Sequence, residues 1–497
     1  MIIDACITEH ARKNSHRIAL EEGKKSISYS RLDEGINTVA SSLADFEHCK
    51  FAILAESGIQ YIKILMAVYR SGNIAIPMPV EMPGLSLERI LDAACINNII
   101  ATKKQYLRFG YGFFERFGTV IIVSDDSVSD GTITETLSKR MILEKNDPEL
   151  RLVLYTSGTT GTPKGVMLSD RNLASNSRSI IEILNITSKD KAALVISPHH
   201  AFGNSIINSH LMAGGSINIG TMNFIDPVFS LIESGVSIFY GVPSTYRILL
   251  KYPERFKKAF VNVRTAASAG GAMDRAIVRS IRELSPDTQI LPMYGQTEAT
   301  ARLAYLPSED VDEFIDTIGK AIPGVTLEVF DSENRPAGPG ITGELVARGD
   351  NILLGYLNDE AATEKRIIDG WLHTGDLAQK LQGGYIKLLG RKDDLIKVGD
   401  HRVNPRELEK EIEKGTDVSG VFVVPVHHEL MGNAISLMVI PNQGTEVDAI
   451  FAFCRKNLPG YLYPREILLI DHLPLSENGK ISNRSIIEEY QHVKASM

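Results

Sequence analysis

Short apolar runs alternate with longer amphipathic stretches through most of this chain, and that alternation constrains the fold before any single residue is considered. The runs at 51–55, 74–78, 121–123, 152–155, 192–196 and 237–240 are strand-like, short and rich in Ile, Val, Leu and Ala. Between them, segments 59–70, 87–97 and 274–284 carry apolar residues at helical spacing. In the last, Ile277, Ile281 and Leu284 recur at i, i+4 and i+7, which sets one apolar stripe on a helix. Alternating β and α elements predict an α/β architecture with substantial parallel sheet. The 497 residues suffice for about three domains or one large two-lobed enzyme.

Composition narrows the function classes. A hydrophobic share of 43% and a charged share of 23% exclude a mainly disordered chain, a collagen-like repeat and a disulfide-stapled mini-protein. Lys+Arg 53 against Asp+Glu 61 leaves a net charge of -8, so a whole-protein basic footprint for nucleic acid is missing. Cys6, Cys49, Cys95 and Cys454 are far apart, with no C-x-x-C pair and no His at zinc-ligand spacing, and are expected as free thiols in a reducing compartment. The first residues show no basic segment leading into a long apolar stretch, and the apolar runs fall short of a membrane span. The expectation is a soluble, cytoplasmic protein with no membrane span and no nucleic-acid partner.

From about Asp316 the sequence becomes punctuated by Gly and Pro, with short strand-like runs at 326–330, 344–347 and 385–389 that read as a small β subdomain. A charged turn at 390–394 follows, and beyond it lies a separate α+β unit. There Asn404, Pro405 and Glu407 stand at N-cap, N1 and N3 of a helix, with Leu408 and Ile412 as its apolar face.

The segment most specific for chemistry is Tyr155-Thr156-Ser157-Gly158-Thr159-Thr160-Gly161-Thr162-Pro163-Lys164-Gly165, directly after a strand-like run. Gly158 and Gly161 let a backbone approach an anion closely, the hydroxyl residues add donors, and Lys164 adds a mobile positive charge. That is the chemistry of a triphosphate cradle. It is not a Walker A loop, because Pro163 stands where the second glycine should be.

This loop resembles the phosphate loop of the adenylate-forming superfamily, which includes acyl-CoA synthetases, adenylation domains of nonribosomal peptide synthetases and beetle luciferases. Further motifs follow in that family's order: Ala269-Gly270-Gly271-Ala272, Tyr294-Gly295-Gln296-Thr297-Glu298, and Gly370-Trp371-Leu372-His373-Thr374-Gly375-Asp376. Gly390-Arg391-Lys392-Asp393-Asp394-Leu395-Ile396-Lys397 and Asn478-Gly479-Lys480 complete the set, and 27–32 resembles the family's opening strand and turn. The resemblance runs from about Ser15 to about Ser485. It implies a large domain of layered α/β subdomains plus a β subdomain at 1–390, a hinge at 391–394, and a small mobile α+β domain at 395–497.

Activating a carboxylate means giving it a good leaving group, and attack on the α-phosphate of ATP yields an acyl-adenylate and pyrophosphate. The protein must neutralise phosphate charge and hold two mutually repelling anions together. By the resemblance, Thr156, Ser157, Gly158, Thr159, Thr160, Gly161 and Lys164 surround phosphates. Thr297 contacts the α-phosphate, and Glu298 holds Mg2+, a hard cation suited to oxygen ligands. Tyr294 stacks on adenine with Gly270, Gly271 and Ala272 on its other side, and Gly295 and Gln296 are further cofactor-binding candidates. Asp376 accepts from both ribose hydroxyls, as the two oxygens of one carboxylate allow, and Arg391 sits close by. Lys480 bridges carboxylate and α-phosphate, and the small domain then rotates about Asp393 to form the thioester with CoA or a carrier-protein phosphopantetheine. Taken singly, each of these residues reads as a cap, a turn or a solvated side chain; together they read as a site.

Two features set this chain apart within the pattern. Asp400 stands where the family usually has a glycine that lets the pantetheine arm pass, which bears on thioester formation and not on adenylation. In the expected acid pocket, the run Ser197-Pro198-His199-His200-Ala201-Phe202-Gly203-Asn204 has no carboxylate to pair an ammonium, which disfavours α-amino acids. His199, His200, Phe202, Gly203, Tyr240, Gly241, Val242, Gly270 and Gly271 are the pocket candidates, with His200 also a candidate in catalysis. Their small and apolar character suggests a fatty or other apolar acid, with an aryl acid as the alternative. A luciferase-like oxygenase and a non-catalytic nucleotide-binding relative are competing classes; the intact Lys164, Glu298, Asp376, Arg391 and Lys480 weigh against the latter.

Overall fold

The computed structural model of the chain describes residues 2–80, 82, 84–124, 133–138, 147–156, 163–222, 224–392, 395–398, 401–428, 432–474, 481 and 483–496. They fall into two compact units: Met1–Leu327 with Ala347–His373, and Glu328–Val346 with Thr374–Met497. The charged turn at 390–394 thus lies within the second unit, and the hinge candidate Asp393 is outside the described residues.

The first unit is built on two sheets. One runs, in spatial order, Lys320–Ala321, Ala304–Tyr305, Gln289–Tyr294, Thr265–Ser268, Ile238–Gly241, Lys191–Leu194, Ser216–Ile219, Ile18–Glu22 and Lys25–Ser28. Its neighbours are parallel from Gln289–Tyr294 through Ile18–Glu22. The other runs Gly355–Tyr356, Lys164–Ser169, Leu150–Thr156, Ile74–Pro77, Lys50–Leu54, Asn98–Thr102, Thr119–Val123 and Ile133–Ser138. It is parallel in its middle and antiparallel at both ends. Every apolar run singled out in the sequence is one of these strands, so the expected α/β fold is observed.

The amphipathic stretches form helices Ile59–Arg70, Gly84–Ala93 and Arg275–Leu284. Asp274 caps the last, its side chain accepting from Ile277 N at 2.8 Å. Ile59–Arg70 is buried on all sides from Ile59 to Tyr69, because it packs against strands of both sheets. Helices Asp170–Leu184 and Ala201–Ala213 pack on each other, the first against Lys164–Ser169 and the second against Lys191–Leu194 and Ser216–Ile219. Helices therefore fill the space between the sheets and set their spacing.

In the second unit, residues 376–380 pair antiparallel with 386–391, with Asp376 and Arg391 in register. Strands Val418–His428, Gly432–Pro441 and Ile467–Leu469 make a three-stranded sheet. Helix Pro405–Gly415 begins as its sequence predicts: Asn404 accepts from Arg406 N at 3.1 Å, and Leu408 and Ile412 join Val421, Val423 and Ile435 in the core. Among the described residues the four cysteines form no disulfide. Among the described residues no helix is long and apolar enough to cross a membrane.

Candidate active site

Parallel strands deliver their carboxyl ends to one edge, where α/β sheets bind ligands. In the first sheet, Lys191–Leu194 leads to His199 and His200, and Ile238–Gly241 ends at Gly241 and Val242. Thr265–Ser268 leads to Gly270, Gly271 and Ala272, and Gln289–Tyr294 ends at Tyr294 and opens the turn of Gly295, Gln296, Thr297 and Glu298. The registers Gly241 with Ser268 and Ser268 with Pro292 hold these ends level. Gly270, Gly271 and Ala272 are exposed, and Tyr294 to Thr297 are half-buried. Gly271 lies against Pro243, where an added Cβ would stand 3.4 Å from the ring.

The turn after Tyr294 is tightly determined. A Cβ on Gly295 would lie 1.8 Å from the carbonyl oxygen of Ala301, so no other residue fits. Thr300 takes φ 65° and donates its hydroxyl to Asn351 O at 2.7 Å. Leu353 N donates to Glu298 O at 2.9 Å, which ties the turn to the segment before Gly355–Tyr356.

The second sheet brings the phosphate-loop lysine to the same place. Strands Leu150–Thr156 and Lys164–Ser169 are antiparallel with Thr156 opposite Lys164; Ser157, Gly158, Thr159, Thr160 and Gly161 lie outside the described residues. Gly355–Tyr356 pairs with Met167 and Val166, which puts the Tyr356 ring 5.1 Å from Lys164 Nζ. The Tyr356 hydroxyl donates to Glu298 Oε1 at 2.8 Å. Burial, and then the Glu298 carboxylate, push that hydroxyl well above its usual pKa. Arg366 Nη2 donates to Gln296 Oε1 at 2.8 Å and stands 3.7 Å from Glu298 Oε1. Lys164 from one motif and Gln296 and Glu298 from another thus converge in one cluster. Tyr356 and Arg366 complete it and were absent from the sequence prediction. Gln296 Nε2 and Arg366 Nε are buried donors without a protein partner. Two cations and two orphaned donors around one carboxylate suit a polyanion together with a divalent cation.

The pocket candidates divide. His199 is buried at 3% exposure, its ring nitrogens within reach of Ala55 O at 3.2 Å and Ser197 Oγ at 3.0 Å, and its edge meets the Tyr61 ring. Burial pulls its pKa down to about 4, so it is a neutral packing residue. His200 is exposed at the N-cap of Ala201–Ala213. Gly203 is fixed by packing, since a Cβ there would lie 2.3 Å from Ser197 O. Phe202 lies under a guanidinium that sequence reasoning missed, that of Arg302, at 4.3 Å. Arg302 is 1% exposed, with Nη1 3.2 Å from Ser205 Oγ and Nε 3.4 Å from Met293 Sδ, and its Nη2 has no partner. Burial lowers its pKa to about 10, which leaves it charged at neutral pH. The hydroxyls of Tyr240 and Ser268 are also buried without partners. The small-residue pattern pointed to an apolar slot, yet this part of it holds a buried cation, which costs several kcal/mol when no anion answers it.

In the second unit Asp376 Oδ1 accepts from Arg391 Nε at 3.1 Å, and Thr374 Oγ1 accepts from Asp376 N at 3.1 Å. The two residues expected at the ribose thus stand side by side. Asp400 and Lys480 lie outside the described residues.

Residues 7–357 match the AMP-binding enzyme family, and residues 407–480 match the AMP-binding enzyme C-terminal domain. Indoleacetate–CoA ligase of Aromatoleum aromaticum is 25% identical over 97% of this chain and 96% of its own length. Oxalate–CoA ligase of Arabidopsis thaliana is 26% identical over 97% of both. The crystal structure of ATP-bound MatB from Rhodopseudomonas palustris superposes with a TM-score of 0.84 at 26% identity, covering 99% of each chain. The chain belongs to the AMP-binding enzymes. It is an adenylate-forming ligase of the class that joins an acid to CoA.

Proposed function

We propose that this enzyme uses Lys164, Gln296 and Arg366 to hold the phosphates of ATP, with Tyr356 orienting Glu298 for Mg2+, while a carboxylate oxygen attacks the α-phosphorus. The new bond is carboxylate oxygen to phosphorus; the bond to the β-phosphate oxygen breaks, and pyrophosphate carries away the electron pair. The observation that carries this reading is the convergence of Lys164, Glu298 and Arg366 from three separate segments. Mg2+ held by Glu298 would supply charge neutralisation on the phosphates.

Tyr294 and Gly270 to Ala272 take the adenine, Thr297 the α-phosphate, Asp376 and Arg391 the ribose, and Lys480 bridges the two anions during attack. Asp393 is the pivot for the second step, in which a thiol attacks the acyl carbonyl and AMP leaves. CoA is the proposed acceptor, with a carrier-protein phosphopantetheine as the other source of the same thiol. The named relatives act on acids as different as indoleacetate and oxalate, so the pocket's own residues decide the acid.

The test is pyrophosphate release from ATP with hydroxylamine as the trap, across fatty, aryl, dicarboxylic and amino acids, with and without CoA. Release with one acid class and acceleration by CoA support the reading. Lys480→Ala should abolish release and leave ATP binding intact; full activity in that variant refutes the mechanism.

A further inference from the structure

We infer that the acid activated here carries a second carboxylate, and that Arg302 receives it; the inference rests on the ligase reading and names its substrate class. Arg302 is held in place from its main chain outward. Its carbonyl accepts from Asn176 Nδ2 at 2.9 Å and Asn351 Nδ2 at 3.0 Å, and its N–H donates to Asn176 Oδ1 at 3.3 Å. It follows the Gly295–Thr300 turn, so it is anchored to the turn that carries Thr297 and Glu298.

The partners of its guanidinium are all neutral: a hydroxyl, a thioether and the face of Phe202. Two partly buried arginines of this unit are matched by acids, Arg70 by Asp4 and Asp33 and Arg264 by Asp190. Arg302 is more deeply buried than either, makes no ion pair among the described residues, and keeps Nη2 unused. A guanidinium fork matches a carboxylate with two parallel hydrogen bonds. The missing anion is therefore a ligand's.

Two further groups place that ligand. The Tyr240 hydroxyl is buried without a partner, its ring stands 6.2 Å from that of Phe202, and its strand adjoins Ser268, whose hydroxyl is likewise unpartnered. Phe202, Tyr240 and Gly241 are among the residues the sequence marked for the acid. Ion recognition and acid pocket therefore fall at the same sheet edge, with donors left over for a second carboxylate.

The experiment pairs acids of equal length, from butyrate with succinate to octanoate with suberate. It uses the full-length wild type, Arg302→Gln and Arg302→Lys, reading pyrophosphate release and the melting temperature with ATP and acid present. In the wild type at least one diacid should exceed its monoacid partner by about 100-fold or more in kcat/KM, as a site built around buried donors discriminates. Arg302→Gln should erase that preference, leave monoacids within about threefold, and leave ATP affinity unchanged; Arg302→Lys should restore part of it. Diacids should raise the wild-type melting temperature and leave that of Arg302→Gln unmoved. Equal losses for both series would mark Arg302 as structural and overturn the inference. So would a wild type that favours monoacids at every length, a result that needs no variant to fold. If no acid releases pyrophosphate, the ligase reading fails, and diacid protection of the wild type still decides the inference.

Discussion

Replacing Tyr356 by Phe removes one oxygen and leaves the ring that faces Lys164. The lost contact is the 2.8 Å hydrogen bond to Glu298, a residue 9% exposed whose nearest remaining cation, Arg366, stands at 3.7 Å. A hydrogen bond to a charged group contributes about 1.5–3 kcal/mol. The lower part of that range applies, because Arg366 continues to offset the carboxylate. At about 1.4 kcal/mol per factor of ten, a loss of about 1.5–2 kcal/mol lowers kcat/KM for ATP by about 10- to 30-fold. Pyrophosphate release at saturating acid, with MgATP varied, measures it directly. The melting temperature should fall by no more than about 4 °C, since one hydrogen bond in a chain of this size shifts it little. Glu298→Gln should cost more and raise the Mg2+ requirement. In that background Tyr356→Phe should add almost nothing, because residues sharing one network are not additive. A Tyr356→Phe enzyme within about twofold of wild type, or full additivity with Glu298→Gln, would refute the idea that Tyr356 orients Glu298.

Two further outcomes test the fold around the site. Gly295→Ala should yield insoluble or unfolded protein, because its Cβ meets the Ala301 carbonyl at 1.8 Å; Gly112→Ala, with nothing within 4 Å, should express normally. Soluble, active Gly295→Ala protein would contradict the turn described here. Asp190 reports on pH. Burial works against its charge, but hydrogen bonds from Arg264, Thr187 N and Ser237 outweigh that and hold its carboxyl at about 2. An unfolded-state pKa near 3.9 means this contribution, roughly 2 kcal/mol, is complete above about pH 4 and lost as the pH falls toward 2. Asp190→Asn should therefore destabilise the protein at pH 7 by roughly 2 kcal/mol in urea unfolding and clearly less at pH 3. The same loss at both values would contradict the assignment.

What the sequence exposes and what it hides separates along physical lines. The strands were legible because a buried parallel strand must be apolar throughout, and Lys50–Leu54 and Ile74–Pro77 are buried along their whole length. The helix at Arg275–Leu284 was legible because its stripe and its Asp274 cap are local. Glu298 was legible because it sits in a motif whose glycine the packing requires, as the space at Gly295 shows, and Lys164 because its motif of glycines and hydroxyl residues is contiguous in the sequence. Tyr356 carries no such mark. It reaches Glu298 through a two-residue strand paired to Val166 and Met167, a contact no local pattern encodes. Arg366, at the end of helix Glu360–Arg366, reads as a basic last-turn residue until the fold turns it toward Gln296. His199 and Arg302 are the opposing case. The histidine, the residue type that attracts a catalytic reading, is occupied by Ala55, Ser197 and Tyr61. The arginine, the type usually left at the surface, is buried by contacts from Asn176, Ser205 and Asn351, segments far apart in the chain. Periodicity reports which face of an element is dry. Where charge is wanted inside is set by long-range polar contacts, and at Arg302 those contacts leave one donor over, which is why its role is read from the fold.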